Sequence, residues 1–401
     1  MVGPGGGGGT RSRRPAAGRR LRLGAALLLL AALVGGDVVR DETYRYFAVG
    51  EPERAVAIPQ PPARPAFVLM GGGADVDEAF RWMIRKAGVL PGSGGRFVVL
   101  RASGSGAYDP YIFFSGPGRQ TGVPVAQRWV GGAALGLSSA ETLVIPSRAA
   151  AESPFVNSVV ARANAVFIAG GDQSNYIRHW KGTRLESTLN SLMARKVPVG
   201  GTSAGLAILG AFDFAALRGT INSARALADP FDQRITLDPG PLAPGGGLLP
   251  ASALANTITD SHFVRRDRMG RLVTFVARLV APEPGGGCLG GVLPTVSGGS
   301  AYPRGIGVSE QAALLVQGNR SGAHFTARKV QNPWLLADAA VYFVRPLAAP
   351  TRCEPGTPLT VRQVEIRKLA DAATVFDLTD WSGADGYLVN IESGEFDASP
   401  Y

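Results

Sequence analysis

Residues 201–205, Gly201-Thr202-Ser203-Ala204-Gly205, place a serine with a glycine two positions to either side. That spacing suits a sharp strand-to-helix turn that pushes a serine hydroxyl into the open, the glycines relieving the crowding around it. A chain with 54 glycines contains such a match by chance easily enough, so its weight comes from context. VPVGG (197–201) before it reads as a strand, and AGLAILGAF (204–212) after it reads as a helix. A serine hydroxyl is a poor nucleophile until a base takes its proton, which calls for a histidine. The chain has three. His179 ends a predicted helix beside Trp180 as a cap or packing residue, and His324 falls in a surface strand, GAHFTARK. His262 follows the strand-like run 254–259 and precedes a basic stretch predicted as helix, so it is the candidate base.

A carboxylate must then hold the imidazole in one tautomer and stabilise the imidazolium. Asp260, Asp267 and Glu310 are the candidates, and the residues alone leave the choice open. An oxyanion site needs two backbone N–H groups; Ala204, next to the serine, supplies one, and the turn Gly171-Asp172 is a candidate for the other, although a plain tight turn explains that spacing equally well. Arg265, Arg266, Arg268 and Arg271 crowd the stretch after His262. Such a run is usually a solvated helix face, but beside a base it becomes a candidate clamp for substrate carboxylates, which guanidinium forks bind bidentately.

These residues need a scaffold that brings distant stretches together. From residue 66 onward, short apolar runs end in glycines and lead into helical stretches, the alternation expected of helices around a parallel sheet. Strands are predicted at 67–73, 96–103, 141–147, 165–172 and 197–201, with helices at 76–88, 153–163 (opened by a Ser153 cap), 173–179 and 185–196. Three of these strand ends are glycine-rich: Gly71-Gly72-Gly73, Gly170-Gly171-Asp172-Gln173 and Gly201–Gly205. Ligands in open α/β sheets bind beyond such carboxyl ends, where backbone must come close. The later chain is rich in Gly and Pro at 239–250 and 281–303, with strand-like pieces in 339–401 read as additions to one core.

The bulk properties narrow the classes. Of a net charge of +10, six positive charges come from arginines within residues 1–36, which hold no acid. The remainder is too small to imply a polyanion, and no aromatic-interleaved basic surface points to nucleic acid. The Arg-rich start followed by the apolar run 23–34 and Gly35-Gly36 reads as a signal peptide; the run is short for a bilayer span, which takes about 20 apolar residues. Export to the periplasm or beyond the cell follows, with membrane contact through that signal only. Residues 37–65 read as a Pro-rich lead-in, 66–346 as the catalytic domain and 347–401 as a C-terminal extension packed on it. Cys288 and Cys353, two cysteines in an exported chain, suggest one disulfide, and no nearby His pair suggests zinc. No cofactor or metal is called for, and a homodimer is left open.

GGDQ (170–173), GTSAG (201–205), DSHFVRRDRMGRL (260–272) and GIGVSEQAALLV (305–316), in this order, resemble the cyanophycinase branch of the peptidase family that also includes aspartyl dipeptidase. The resemblance spans about residues 66–346. It implies an α/β fold like class I glutamine amidotransferases, flavodoxin-like, with a mostly parallel sheet, helices on both faces and a nucleophile elbow. It also implies a Ser-His-Glu triad, which by motif falls on Ser203, His262 and Glu310. Cyanophycinases release β-aspartyl-arginine dipeptides from a polymer with an aspartate backbone and arginine side chains. Their pocket residues fall by motif on Gln173, Asp260, Arg266, Arg268 and Arg271. The family's Gln before the histidine is Ser261 here, which puts the dipeptide released in question but not the hydrolytic chemistry.

Overall fold

The computed structural model describes residues 3, 39–40, 43–116, 129–240, 246–294, 302–333 and 339–401; the expected signal peptide lies, Gly3 apart, outside the described residues. Every element below belongs to the compact unit Asp37–Tyr401. Its strands are β1 (Val39–Arg40), β2 (Arg45–Gly50), β3 (Ala66–Met70), β4 (Arg96–Arg101), β5 (Ser139–Val144), β6 (Ala165–Ile168), β7 (Val199–Thr202), β8 (Asp213–Phe214), β9 (Leu237–Asp238), β10 (Thr257–Asp260), β11 (Arg304–Val308), β12 (Ala312–Gly318), β13 (Phe325–Gln331), β14 (Val341–Pro346), β15 (Val361–Leu369), β16 (Phe376–Asp377), β17 (Gly386–Glu392) and β18 (Glu395–Phe396).

A ten-stranded sheet runs in the order β1-β2-β5-β4-β6-β7-β3-β12-β13-β16. Its middle, β5-β4-β6-β7-β3, is parallel, while β1, β2, β12, β13 and β16 pair antiparallel. The expectation of a mostly parallel sheet therefore holds for the centre and fails at both margins. The parallel centre follows from strands that are apolar on both faces, such as Phe67-Val68-Leu69-Met70, all buried. Alternate residues feed different cores. Phe67 and Leu69 pack with helices Pro154–Ala161, Gln173–Trp180 and Arg184–Ala194, whereas Val68 and Met70 pack with helix Asp77–Lys86 on the opposite face. Part of the stretch read as a lead-in is thus sheet: β2 pairs with β5 along its whole length.

The second sheet, order β10-β11-β14-β15-β17-β18, was not expected. Only its β10–β11 pair is parallel. It packs on helices Ser223–Ala228 and Met269–Arg278 in a third apolar core, to which the Cys288–Cys353 disulfide belongs. Residues beyond 347 supply β15, β17 and β18 to this sheet and β16 to the first.

Three local expectations fail for identifiable reasons. Residues 204–212 are not a helix: after a 3-10 turn at Ser203–Gly205 the carbonyls of Ile208, Leu209 and Ala211 accept from the amides of Leu249, Ala251 and Gly247, so they are not available to helical bonds. The basic stretch after His262 is a turn, and the helix begins at Met269. Ser153 stands at the N-cap of helix Pro154–Ala161 without a side-chain cap bond; the capping serine is Ser147, which accepts from Ala150 N–H on the short helix before it.

Candidate active site

The end of β3 is the seam where the two sheets meet. Ser203 follows β7, whose Thr202 pairs with Met70 of β3. His262 and Glu310 follow β10 and β11, parallel neighbours with Asp260 opposite Gly307, so both side chains emerge beyond the same end of the second sheet. Gly71-Gly72-Gly73, which extends β3, joins the groups: His262 N–H donates to Gly71 O at 2.7 Å and Gln311 N–H to Gly72 O at 2.7 Å. Gly72 has φ +90°, and a side chain there would place Cβ 2.5 Å from His262 Cε1 and 2.6 Å from Nε2. The glycine is the seat of the imidazole.

Ser203 is held at φ +54°, in the left-handed region that a non-glycine residue occupies only when its surroundings enforce it. The enforcement comes from its flanking glycines. A Cβ on Gly201 would lie 2.2 Å from Gly205 O, and one on Gly205 would lie 2.1 Å from Ile168 O. The turn so formed aims Ser203 Oγ at His262 Nε2, 2.8 Å away. His262 Nδ1 lies 2.5 Å from Glu310 Oε1. With Nδ1–H donating to Glu310, Nε2 is left to accept the serine proton. Thr259 Oγ1 donates to Leu206 O at 3.0 Å and ties β10 to the serine turn.

Electrostatics favour a neutral imidazole beside an ionised carboxylate. Burial pushes the His262 pKa below its ordinary value, and Arg266 and Arg268 push the same way against the Glu310 hydrogen bond. Glu310 is penalised by burial, yet its hydrogen bonds to His262 and to Arg265, whose Nη1 donates to Oε2 at 2.7 Å, bring it below the usual carboxylate range. Arg266 Nε stands 3.9 Å from Oε1.

A cleft of about 440 Å³ opens in front of Ser203. Gly171, Gln173, Ser203, Ala204, Asp260, Ser261, His262, Arg266, Arg268 and Arg271 all line it, whereas Glu310 lies behind the histidine and Arg265, paired with Glu310, is not part of the lining. A Cβ on Gly170 would sit 3.4 Å from Ser203 Cβ, so the Gly170-Gly171 turn lies directly against the serine. Gln173 opens helix Gln173–Trp180 behind the Asp172 cap, and its Nε2 donates to Phe214 O at 3.3 Å.

The arginines divide by burial. Arg271 is buried and committed: Nε donates to Asp260 Oδ2 at 2.7 Å, Nη2 to Oδ1 at 2.6 Å, and Nη1 to Thr220 Oγ1 and Ile221 O, both at 3.1 Å. Asp260 is buried, but the Arg271 and Arg268 charges outweigh that penalty and hold its pKa below the ordinary value. Arg268 spends Nη1 on Ser261 O at 2.8 Å and Asp260 Oδ1 at 3.2 Å, and burial lowers its pKa to about 10. Arg266 is exposed.

Asp267 turns away from the imidazole and accepts from Tyr401 Oη; His324 pairs with Asp377 at 3.1 Å on the surface. The cleft wall Phe214–Asn222, pinned by Arg271, was not singled out by sequence reasoning. Its one signal was the Asn222-Ser223 helix start, where Asn222 Oδ1 accepts from Arg225 N–H.

Residues 133–213, which contain both the Gly170 turn and the Ser203 turn, match the model of peptidase family S51. A cyanophycinase of Trichormus variabilis is 31% identical over 144 residues, 36% of this chain and 43% of that protein. A cyanophycinase of Synechococcus elongatus is 31% identical over 146 residues, 36% of this chain and 39% of that one. The chain thus spans less than half the length of these curated relatives. The solved structure of a peptidase from an acI-B1 Actinobacterium overlays with a TM-score of 0.40 and 15% identity, covering 70% of this chain and 91% of that one. Residues 133–213 are thus similar to peptidase family S51, and the curated relatives that the chain resembles are cyanophycinases.

Proposed function

We propose that the protein is a serine-type peptidase on a class I glutamine-amidotransferase-like scaffold, with Ser203 as nucleophile, His262 as general base and Glu310 as the orienting acid. The observation that carries this reading is the unbroken line Ser203 Oγ–His262 Nε2 at 2.8 Å and His262 Nδ1–Glu310 Oε1 at 2.5 Å, assembled from three strand ends. Ser203 Oγ attacks an amide carbonyl and forms the acyl-enzyme as its proton passes to Nε2; the imidazolium returns that proton to the leaving amine. Water then repeats the sequence on the ester. Ala204 and Gly171 N–H groups receive the oxyanion in both halves.

The substrate class is an acidic peptide. Arg268 and Arg266 supply guanidinium groups to a substrate carboxylate, and Gln173 supplies an amide. Arg271 belongs to the wall: it neutralises Asp260 and braces Thr220 and Ile221, so it acts on substrate through Arg268 rather than as a free clamp. Cyanophycin fits this class, with β-aspartyl-arginine as the product. Ser261, whose short hydroxyl replaces an amide, favours a second reading: a dipeptidase for other aspartyl or isoaspartyl peptides. The disulfide is compatible with export behind an N-terminal signal, and among the described residues no helix is long and apolar enough to cross a membrane.

Incubation with cyanophycin, set against short Asp-X and isoaspartyl-X peptides, tests both readings by mass spectrometry of the products. Dipeptide release from the polymer supports the first, and release from short peptides alone supports the second. Ser203→Ala abolishes either activity while circular dichroism stays unchanged; undiminished hydrolysis by that variant removes the mechanism.

A further inference from the structure

The turn 263–268, which carries Arg265, Arg266 and Arg268, is gripped by a residue outside the cleft. Tyr401 Oη accepts from Met269 N–H at 3.0 Å and donates to Asp267 Oδ1 at 2.9 Å. Its ring stands edge-on to Phe263 at 6.1 Å and to Tyr342 at 5.7 Å. Phe263, the neighbour of His262, is fully buried and fills the space that a side chain at Gly307 would take. The segment that delivers Tyr401 is itself anchored, with Tyr387 Oη donating to Pro400 O at 3.0 Å and Asn390 Nδ2 to Asp397 Oδ2 at 2.7 Å. On the other flank Ser223 Oγ donates to Asp267 O.

The turn needs such a grip. Its own closure consists of three backbone bonds, Arg266 N to His262 O at 3.1 Å, Asp267 N to Val264 O at 3.0 Å and Arg268 N to Phe263 O at 3.0 Å. Asp267 stands at φ +44°, a conformation that persists only when the surroundings over-determine it. Val264, Arg265 and Arg266 are exposed and contribute little packing.

We propose that Tyr401 is a positioning residue: through Asp267 and Met269 it fixes the turn that aims Arg266 and Arg268 into the cleft, so that the second sheet sets how the site meets a substrate carboxylate. The catalytic part of this inference rests on the peptidase reading above; the grip itself does not. Removing the hydroxyl leaves the ring packing and the triad in place and loosens the turn alone.

The test is Tyr401→Phe, read in two ways on the whole protein. Native-state trypsin cleavage at the exposed Arg265–Arg266 bond speeds up about fivefold or more, because a segment with fewer restraints opens more often. The KM for cyanophycin rises about fivefold to tenfold, the size of one lost ordinary hydrogen bond, while fluorophosphonate labelling of Ser203 stays within about twofold. Asp267→Gly, which tolerates the left-handed backbone, produces the same shifts, and the double variant adds nothing further. Unchanged cleavage at Arg265–Arg266 overturns the grip; faster cleavage with unchanged KM overturns its role in recognition. Wild-type protein that cleaves no acidic peptide defeats the peptidase reading instead, while the trypsin result still decides the grip.

Discussion

Glu310 sits between an imidazole and a guanidinium, each claiming one of its oxygens. Arg265 therefore stiffens the carboxylate that in turn orients His262, although an exposed ion pair of this kind is worth no more than about 1 kcal/mol. The more consequential charges belong to Arg266 and Arg268, which together with burial lower the His262 pKa. A base works only when unprotonated, so the proposed mechanism predicts that hydrolysis persists down to a pH below the ordinary histidine value of 6.5 before its acid limb begins. Removing the Arg266 charge takes away one of the groups that disfavour the imidazolium. The acid limb of the kcat/KM profile accordingly moves to higher pH in Arg266→Gln than in wild type. A midpoint that stays fixed or moves down in that variant contradicts this account of the site.

Among the elements, the glycine turn beyond β3 carries the most weight, because it lies against both His262 and Glu310. Gly72→Ala adds a methyl where the imidazole ring lies, at a backbone angle that alanine resists, and the ring must leave Ser203. Activity falls at least about a hundredfold, as expected when a general base is displaced, while near-ultraviolet circular dichroism retains its native form. Retained activity would show that the ring has another place to sit. The strand-glycine rhythm made this part of the scaffold legible from sequence, since β3, β6 and β7 are short apolar runs closed by glycine. The juxtaposition of Ser203 and His262 is legible from the residue types that a nucleophile and its base require, whereas Glu310 is distinguished from Asp260 and Asp267 only through a family pattern. The reason is topological: Glu310 reaches His262 because β11 pairs with β10, and no local pattern encodes that pairing. The same holds for the stretch 305–316, which looks like one apolar run but is two strands belonging to different sheets, with Glu310 in the turn between them. Residues 204–212 misled because apolar spacing signals helix, while their carbonyls are claimed by the distant segment 247–251.

At the scale of the whole molecule, the serine comes from one sheet and its two partners from the other, so any loosening between the sheets opens the triad. The Cys288–Cys353 bond closes 65 residues of chain within the core under the second sheet. A loop of that length is stabilised by about 4 kcal/mol through the entropy taken from the unfolded chain. Reduction lowers the melting temperature measurably and costs activity only as the second sheet loosens; an unchanged melting temperature after verified reduction contradicts that placement. The central claim is that this inter-sheet contact turns Ser203 into a nucleophile, and intact-mass spectrometry after a fluorophosphonate probe tests it most directly. The account predicts a single adduct, located on Ser203 by peptide mapping, absent in Ser203→Ala and at least about a hundredfold slower to form in His262→Ala. No adduct on the wild-type protein, or one that maps to a different serine, would contradict it.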